Sequence, residues 1–170
     1  MSAVTCATTD LCDANEALIA SGELRIVPPG LLGFGGRVSF HGQAATIKTF
    51  EDNSRVAEAV REPGLGRVLV VDGGGSVGCA LLGGNLAAIA AGNGWAGVVI
   101  DGAARDRAEI DACALGVRAL ALHPKRSQKR NAGEREVVVS IRGVAVRPGE
   151  WIYADLDGVI VCSVALHAPA

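Results

Sequence analysis

Apolar and polar positions follow three different rhythms along this chain. Between Asp10 and Ser21, Leu11, Ala14, Leu18 and Ile19 recur at helical spacing. This predicts one amphipathic helix, capped by Thr8, Thr9 or Asp10 and stopped by Gly22. Arg25 to Gly36 is rich in proline and glycine and reads as loop. Arg37 to Phe50 is β-type but interrupted by His41-Gly42, which predicts two short strands about a turn. Asn53 can cap a short helix ending near Pro63.

A second rhythm follows, of short apolar runs separated by glycine-rich turns. Arg67 to Asp72 reads as a buried strand, Gly73 to Gly78 as a turn, and Asn85 to Ala91 as a helix. The strand Gly97 to Ile100, a short helix Asp106 to Asp111 and the strand Val117 to Leu122 complete it. The order β-α-β-α-β implies parallel pairing with right-handed connections. From Glu134 the rhythm becomes antiparallel. Val137 to Ile141, Val144 to Val146, Trp151 to Ala154 and Val159 to Val164 read as strands, turned at Pro148-Gly149 and Asp157-Gly158. No linker, repeat or low-complexity tract divides the chain, so residues 1–170 are expected to form a single α/β domain.

Composition narrows the class. With 49% apolar residues but only two Trp, one Tyr and three Phe, the core must be aliphatic. The net charge of −2 is spread along the chain and argues for neither nucleic acid nor a membrane surface. Five cysteines without a C-x-x-C pattern fit a reduced, cytoplasmic protein better than a disulfide framework or a zinc site. Cys79, Cys113 and Cys162 lie in apolar surroundings and read as core packing. The start, Met1 to Thr9, lacks the basic and apolar regions of a secretory signal. Gly73 to Ile100 carries no charge and is long enough to span a bilayer, but nine glycines interrupt it. Buried α/β packing is the better reading.

Two motifs overlap in the glycine turn. Gly73-Gly74-Gly75-Ser76-Val77-Gly78 fits G-x-G-x-x-G after a strand, with Asp101 at the end of the next strand, as in a dinucleotide site. Gly74 to Gly78 also fits G-x-S-x-G, with Asp101 or Asp106 and then His123 in the order of a hydrolase triad. Further glycines at 83, 84, 92 and 94 and the short chain oppose both, leaving a tight strand-to-helix turn. The basic run His123 to Arg130 lacks interleaved aromatics for stacking bases and reads as a solvated loop, so no direct nucleic-acid contact is expected. His41 and His167 stand alone in the sequence and receive no role.

The segment Gly97 to Glu109 carries more chemistry. A buried strand runs into small residues, and Arg105 and Asp106 emerge where α/β folds place ligands. Asp106 and Glu109, three apart, share a helix face and can hold a hard divalent cation. Arg105 offers a fork for a carboxylate or oxyanion. Upstream, Gly83-Gly84-Asn85-Leu86 opens a helix whose free N–H groups form an anion cradle.

At these residues the chain resembles the RraA-like family, which includes regulators of ribonuclease activity and class II 4-hydroxy-4-methyl-2-oxoglutarate aldolases. The resemblance runs from about Thr9 to Val161. Its landmarks are Thr9 to Asn15, Phe50-Glu51-Asp52-Asn53, Gly66 to Val77, Gly94-Trp95-Ala96-Gly97 and Tyr153 to Gly158. Gly84, Arg105, Asp106 and Glu109 match the family pattern G-x20-R-D-x2-E/D. The plant-type and related bacterial aldolase-like members are the most similar in character.

The resemblance implies a compact ββα sandwich of the swivelling, phosphohistidine-domain-like type, assembled as a homotrimer with sites between subunits. It implies that Gly83, Gly84, Asn85, Leu86 and Arg105 bind the pyruvyl part of a 2-oxo acid. Asp106 would ligate Mg²⁺ or Mn²⁺, with Glu109 supporting the metal's water shell. Some family aldolases carry Asp at the position of Gly84, so Glu109 must supply the second acid here. The expected reaction is metal-assisted retro-aldol cleavage, with oxaloacetate decarboxylation through the same enolate. The base for the C4 hydroxyl would be a metal-bound water held by Glu109, with Asp101 the lesser candidate. The alternative is a non-catalytic regulator binding an RNA-degrading enzyme, which the Lys125 to Arg130 cluster could serve.

Overall fold

The computed structural model describes residues 6–168, so most of the start examined for a secretory signal lies outside it. Its frame is one ten-stranded mixed sheet. The strands in it are β1 (Leu24–Ile26), β2 (Leu32–Phe34), β3 (Phe40–Lys48), β4 (Val68–Asp72), β5 (Ala80–Leu82), β6 (Gly97–Ala104), β7 (Gly116–Leu122), β8 (Glu134–Arg135), β11 (Trp151–Ala154) and β12 (Val159–Cys162). The order is β1-β12-β11-β3-β4-β6-β7-β2, with β5 joined to β6 and β8 to β3. The hairpin of β9 (Val139–Ile141) and β10 (Val144–Val146) packs separately. As predicted, β4, β6 and β7 are parallel and the C-terminal strands β11 and β12 are antiparallel.

Alternation along β4 and β6 divides the interior. Leu69, Val71, Val98 and Ile100 face a core covered by α3 (Ser54–Ala59), α4 (Gly84–Gly92) and α5 (Arg107–Asp111). Val68, Val70 and Val99 face a second core closed by β9, β10, β11 and β12. A third cluster, around Leu24, Tyr153 and Ile160, is covered by α1 (Thr8–Ala14) and α2 (Glu16–Ser21). The result is a mixed α/β fold dominated by sheet.

Several elements differ from expectation. The N-terminal helix is two helices broken at Asn15, whose side chain donates to the Leu11 carbonyl. No Thr or Asp caps it; Thr8 instead gives both its N–H and its hydroxyl to Asp155, each at 2.7 Å. Gly22 does end it, in a left-handed conformation. The expected loop Arg25 to Gly36 contributes β1 and β2, three residues each and too short to show a period. His41-Gly42 is no turn: β3 runs through it, paired to Tyr153 and Ile152. Gly42 is needed because a Cβ there would meet the Gly66 carbonyl at 2.2 Å. β6 continues four residues past Ile100, and α3 is started by the Asp52 carboxylate on the Ser54 N–H rather than by the Asn53 side chain.

The uncharged stretch Gly73 to Ile100 folds as turn, β5, α4 and the start of β6. No helix among the described residues is long and apolar enough to cross a membrane. All five cysteines are free; Cys79 and Cys162 are buried as expected, whereas Cys113 is half-buried. His41 and His167, far apart in sequence, pack with ring centres 4.7 Å apart and planes tilted by 50°.

Candidate active site

The C-terminal ends of β5, β6 and β7 meet at one edge of the helix-covered face. The Arg105 N–H donates to the Leu82 carbonyl and the His123 N–H to the Ala104 carbonyl, both at 2.9 Å. These bonds carry the sheet pairing past the strand ends and fix where Arg105 leaves the sheet. Asp106 then takes a left-handed backbone (φ 61°), which aspartate tolerates better than most residues. As a result its side chain does not cap its own helix α5. It crosses to α4, where Oδ2 accepts the Gly84 N–H at 3.1 Å.

The two glycines permit this approach. A Cβ on Gly83 would lie 2.8 Å from Asp106 Oδ2 and 3.3 Å from Arg105 Nε. A Cβ on Gly84 would lie 2.0 Å from Glu109 Oε2. Both acids and the arginine therefore pack on the first turn of α4. Arg105 Nε stands 3.6 Å from Asp106 Oδ2, and both side chains are more than a third exposed, so the pair adds little stability. Their solvent-facing atoms are open to a ligand.

The first intrahelical bond of α4 runs from Ala87 N–H to the Gly83 carbonyl. The N–H groups of Asn85 and Leu86 precede it and have no acceptor four residues back within the helix. The Leu86 side chain is buried in the core, so what it can offer a ligand is its backbone N–H; Asn85 is exposed. Every residue singled out from the sequence, Gly83 to Leu86 with Arg105, Asp106 and Glu109, thus converges on one helix N-terminus.

A cleft of about 240 Å³ opens beside them, lined by Arg105, Asp106, Arg107, Leu122, His123 and Pro124. The last three were not assigned to this site from sequence. The signal available was position: Leu122 ends β7, the parallel neighbour of β6, and His123 and Pro124 follow at its carboxyl end. A larger cavity of about 610 Å³ lies elsewhere, against Thr8, Ile26, Arg118, Asp155 and Leu156. Two of its charged groups, Arg118 and Asp155, are already engaged. Arg118 donates to the carbonyls of Val117, Val38 and Asp155, and Asp155 accepts from Thr8, Asp157 and Gly158. The smaller cleft is the one that adjoins Arg105 and Asp106.

Among the described residues no three His, Cys, Asp or Glu side chains converge as a cation cage. That excludes a zinc-type set there but fits Mg²⁺ or Mn²⁺, which keep several waters and need one or two carboxylates. Asp106 has the right character: one oxygen is tied to Gly84, the other is free of protein donors, and the glycine cradle leaves room beside it.

The other motifs do not assemble. The glycine turn after β4 leads into strand β5, not a helix, so no dinucleotide fingerprint exists. Ser76 donates to Glu51 Oε1 at 2.6 Å, and His123 Nδ1 is occupied by the Lys125 N–H. There is no triad. Asp101 lies on the sheet face toward β9 and β10, near Asp72 and Arg142. Burial pushes its carboxyl up. It therefore does not face Arg105 and is removed as a candidate base.

The family model described as Aldolase/RraA, RraA-like, matches residues 8–161. A relative from Cupriavidus taiwanensis, named "Putative 4-hydroxy-4-methyl-2-oxoglutarate aldolase", is 57% identical over 160 residues, 94% of this chain and 97% of its own. The structure titled as the RNA-processing inhibitor RraA from Thermus thermophilis superposes with a TM-score of 0.86 at 43% identity, covering 100% of this chain and 96% of that one. A Geobacillus kaustophilus structure, titled S-adenosylmethionine: 2-dimethylmenaquinone methyltransferase, gives 0.87 at 44% identity over 96% of this chain and 99% of that one.

Proposed function

This chain belongs to the RraA-like family, and we propose that it is a divalent-metal-dependent lyase. It cleaves 4-hydroxy-4-methyl-2-oxoglutarate to two pyruvates and decarboxylates oxaloacetate through the same enolate. The observation that carries this reading is the convergence of Arg105, Asp106 and Glu109 on the N-terminus of α4. Relatives named as this aldolase agree with it.

Asp106, with Glu109 through water, would hold Mg²⁺ or Mn²⁺, which when bound supplies Lewis acidity toward the substrate's keto oxygen. The N–H groups of Asn85 and Leu86 receive the substrate carboxylate at the positive end of α4. Gly83 and Gly84 let it approach the backbone. Breaking the C3–C4 bond moves its electron pair into the C2–C3 bond and places negative charge on the keto oxygen. Arg105 donates to that oxygen, a contribution of about 3–4 kcal/mol for one well-placed donor. In the aldol substrate the C4 hydroxyl loses its proton as its carbon becomes the keto carbon of the second pyruvate. Glu109, the remaining carboxylate of the site, accepts that proton directly or through water. The enolate then takes a proton at C3. In oxaloacetate the departing group is CO₂ and no base is needed.

The homotrimer with sites between subunits belongs to the same proposal. Ile26 and Leu156, 52% and 86% exposed beside the larger cavity, are apolar surface that an assembly would cover. A second reading, a non-catalytic regulator of an RNA-degrading enzyme, draws on the exposed Lys125, Arg126, Lys129 and Arg130 and on the inhibitor title of the Thermus relative.

The test is pyruvate release from both substrates, with Mg²⁺ and with chelator, in wild type, Asp106→Ala and Arg105→Ala. Metal-dependent turnover lost in both variants supports the lyase. Absence of turnover in the metal-loaded wild type overturns it for these substrates and turns attention to ribonuclease binding.

A further inference from the structure

Resting on the lyase reading, we infer that His123 is the specificity residue for the distal half of the substrate, acting as a hydrogen-bond donor whose orientation the backbone fixes. Two backbone bonds set its place. Its own N–H is held by the Ala104 carbonyl at 2.9 Å, one residue before Arg105. Its Nδ1 accepts the Lys125 N–H at 3.1 Å. A main-chain N–H cannot reverse its role, so Nδ1 is the acceptor and Nε2 is left as the nitrogen that can donate. The ring is half-buried and lines the cleft beside Arg105 and Asp106.

The cleft contains few competing donors. Arg107 is drawn back along its own helix, with Nε 3.3 Å from Asp111 Oδ2 and its guanidinium 5.4 Å from the centre of the Phe34 ring. Arg105 and Asp106 are committed to the pyruvyl end. Within this chain, His123 stands beside them between two apolar surfaces, Leu122 and Pro124, and can offer its Nε2–H. One donor flanked by aliphatic walls suits a branched group that carries an anionic oxygen together with a small alkyl substituent. This suits the distal half of the proposed substrate, whose C4 bears both carboxylate and methyl. It also gives the imidazole a role as binding donor, not as base.

Pyruvate separates the two halves of the site, because exchange of its methyl protons with D₂O needs enolate formation but has no distal group. In His123→Ala, kcat/KM for cleavage of 4-hydroxy-4-methyl-2-oxoglutarate is expected to fall about tenfold to a hundredfold more than the exchange rate, chiefly through KM. His123→Gln, whose amide can donate from a similar position, should recover part of it. Nitrogen shifts of the His123 ring in the wild type should show a protonated Nε2 and a bare Nδ1. Equal losses of exchange and cleavage, cleavage unchanged in His123→Ala, or a protonated Nδ1 would each overturn the assignment while leaving the lyase reading intact. A wild type that neither exchanges nor cleaves overturns the lyase reading and this assignment with it.

Discussion

The carboxylate of Glu109 fills the space above Gly84: a Cβ there would lie 2.0 Å from Oε2 and 2.6 Å from the Cβ of Glu109. The second contact matters more, because a Cβ is fixed to its helix and cannot swing away. Gly84→Ala must therefore push α5 from α4. We expect a stability loss of about 1–3 kcal/mol, the usual cost of overpacking, in urea unfolding. Pyruvate release should fall more steeply, because Asp106 and Glu109 move together. Gly84→Asp combined with Glu109→Gly should retain more activity than Gly84→Asp alone, since it moves the second acid and removes the Cβ that the contact cannot accommodate.

Asp106→Asn keeps an oxygen for the Gly84 N–H and so preserves the fold, but removes the charge. Binding of Mn²⁺, measured by calorimetry, should weaken by several kcal/mol, on the order of a hundredfold or more. Arg105→Lys keeps charge without the fork. Turnover should drop on the order of a hundredfold with little change in unfolding midpoint.

Asp52 is fully buried and ties the segment after the basic loop to the start of α3. Burial alone would raise its carboxyl. The hydrogen bonds from Ser54 and from the Arg130 and Ala132 N–H groups outweigh burial and hold it at about 2. A folded value below the unfolded one stabilises above about pH 4, and the gain disappears as pH falls toward 2. Asp52→Asn should therefore cost about 2 kcal/mol at pH 7 and much less near pH 2, read from urea unfolding at both.

Phe40 lies across two glycines of neighbouring strands. A Cβ on Gly116 would sit 2.0 Å from its ring and one on Gly97 2.3 Å. Gly116→Ala is expected to destabilise by about 1–3 kcal/mol, and Phe40→Leu in the same chain should recover part of it. Denaturant midpoints of Gly116→Ala, Phe40→Leu and the double variant decide the matter.

Much of this protein could be read from local pattern. The apolar runs of β4, β6 and β7 are continuous because both sheet faces are buried, and that signal survives without any partner in view. The candidate site was legible because Arg105, Asp106 and Glu109 lie within five residues at a strand end and match a family pattern with Gly84. Short strands were not legible: β1, β2 and β5 hold three residues each, too few for a period. His41-Gly42 misled because glycine signals a turn unless its neighbour in space is known; here that neighbour is the Gly66 carbonyl.

The sequence by itself determined the order of β4, β6 and β7 and the identity of the acids and the arginine, since periodicity and spacing are properties of the chain. Tertiary structure decided what those residues touch. Asp106 reaches across 22 residues to Gly84 through a left-handed turn, Glu109 closes over the same glycine, and His123 joins from the next strand. Each contact depends on how closely two helices and three strand ends approach. That distance is set by side-chain volumes across the whole core, which no local window contains.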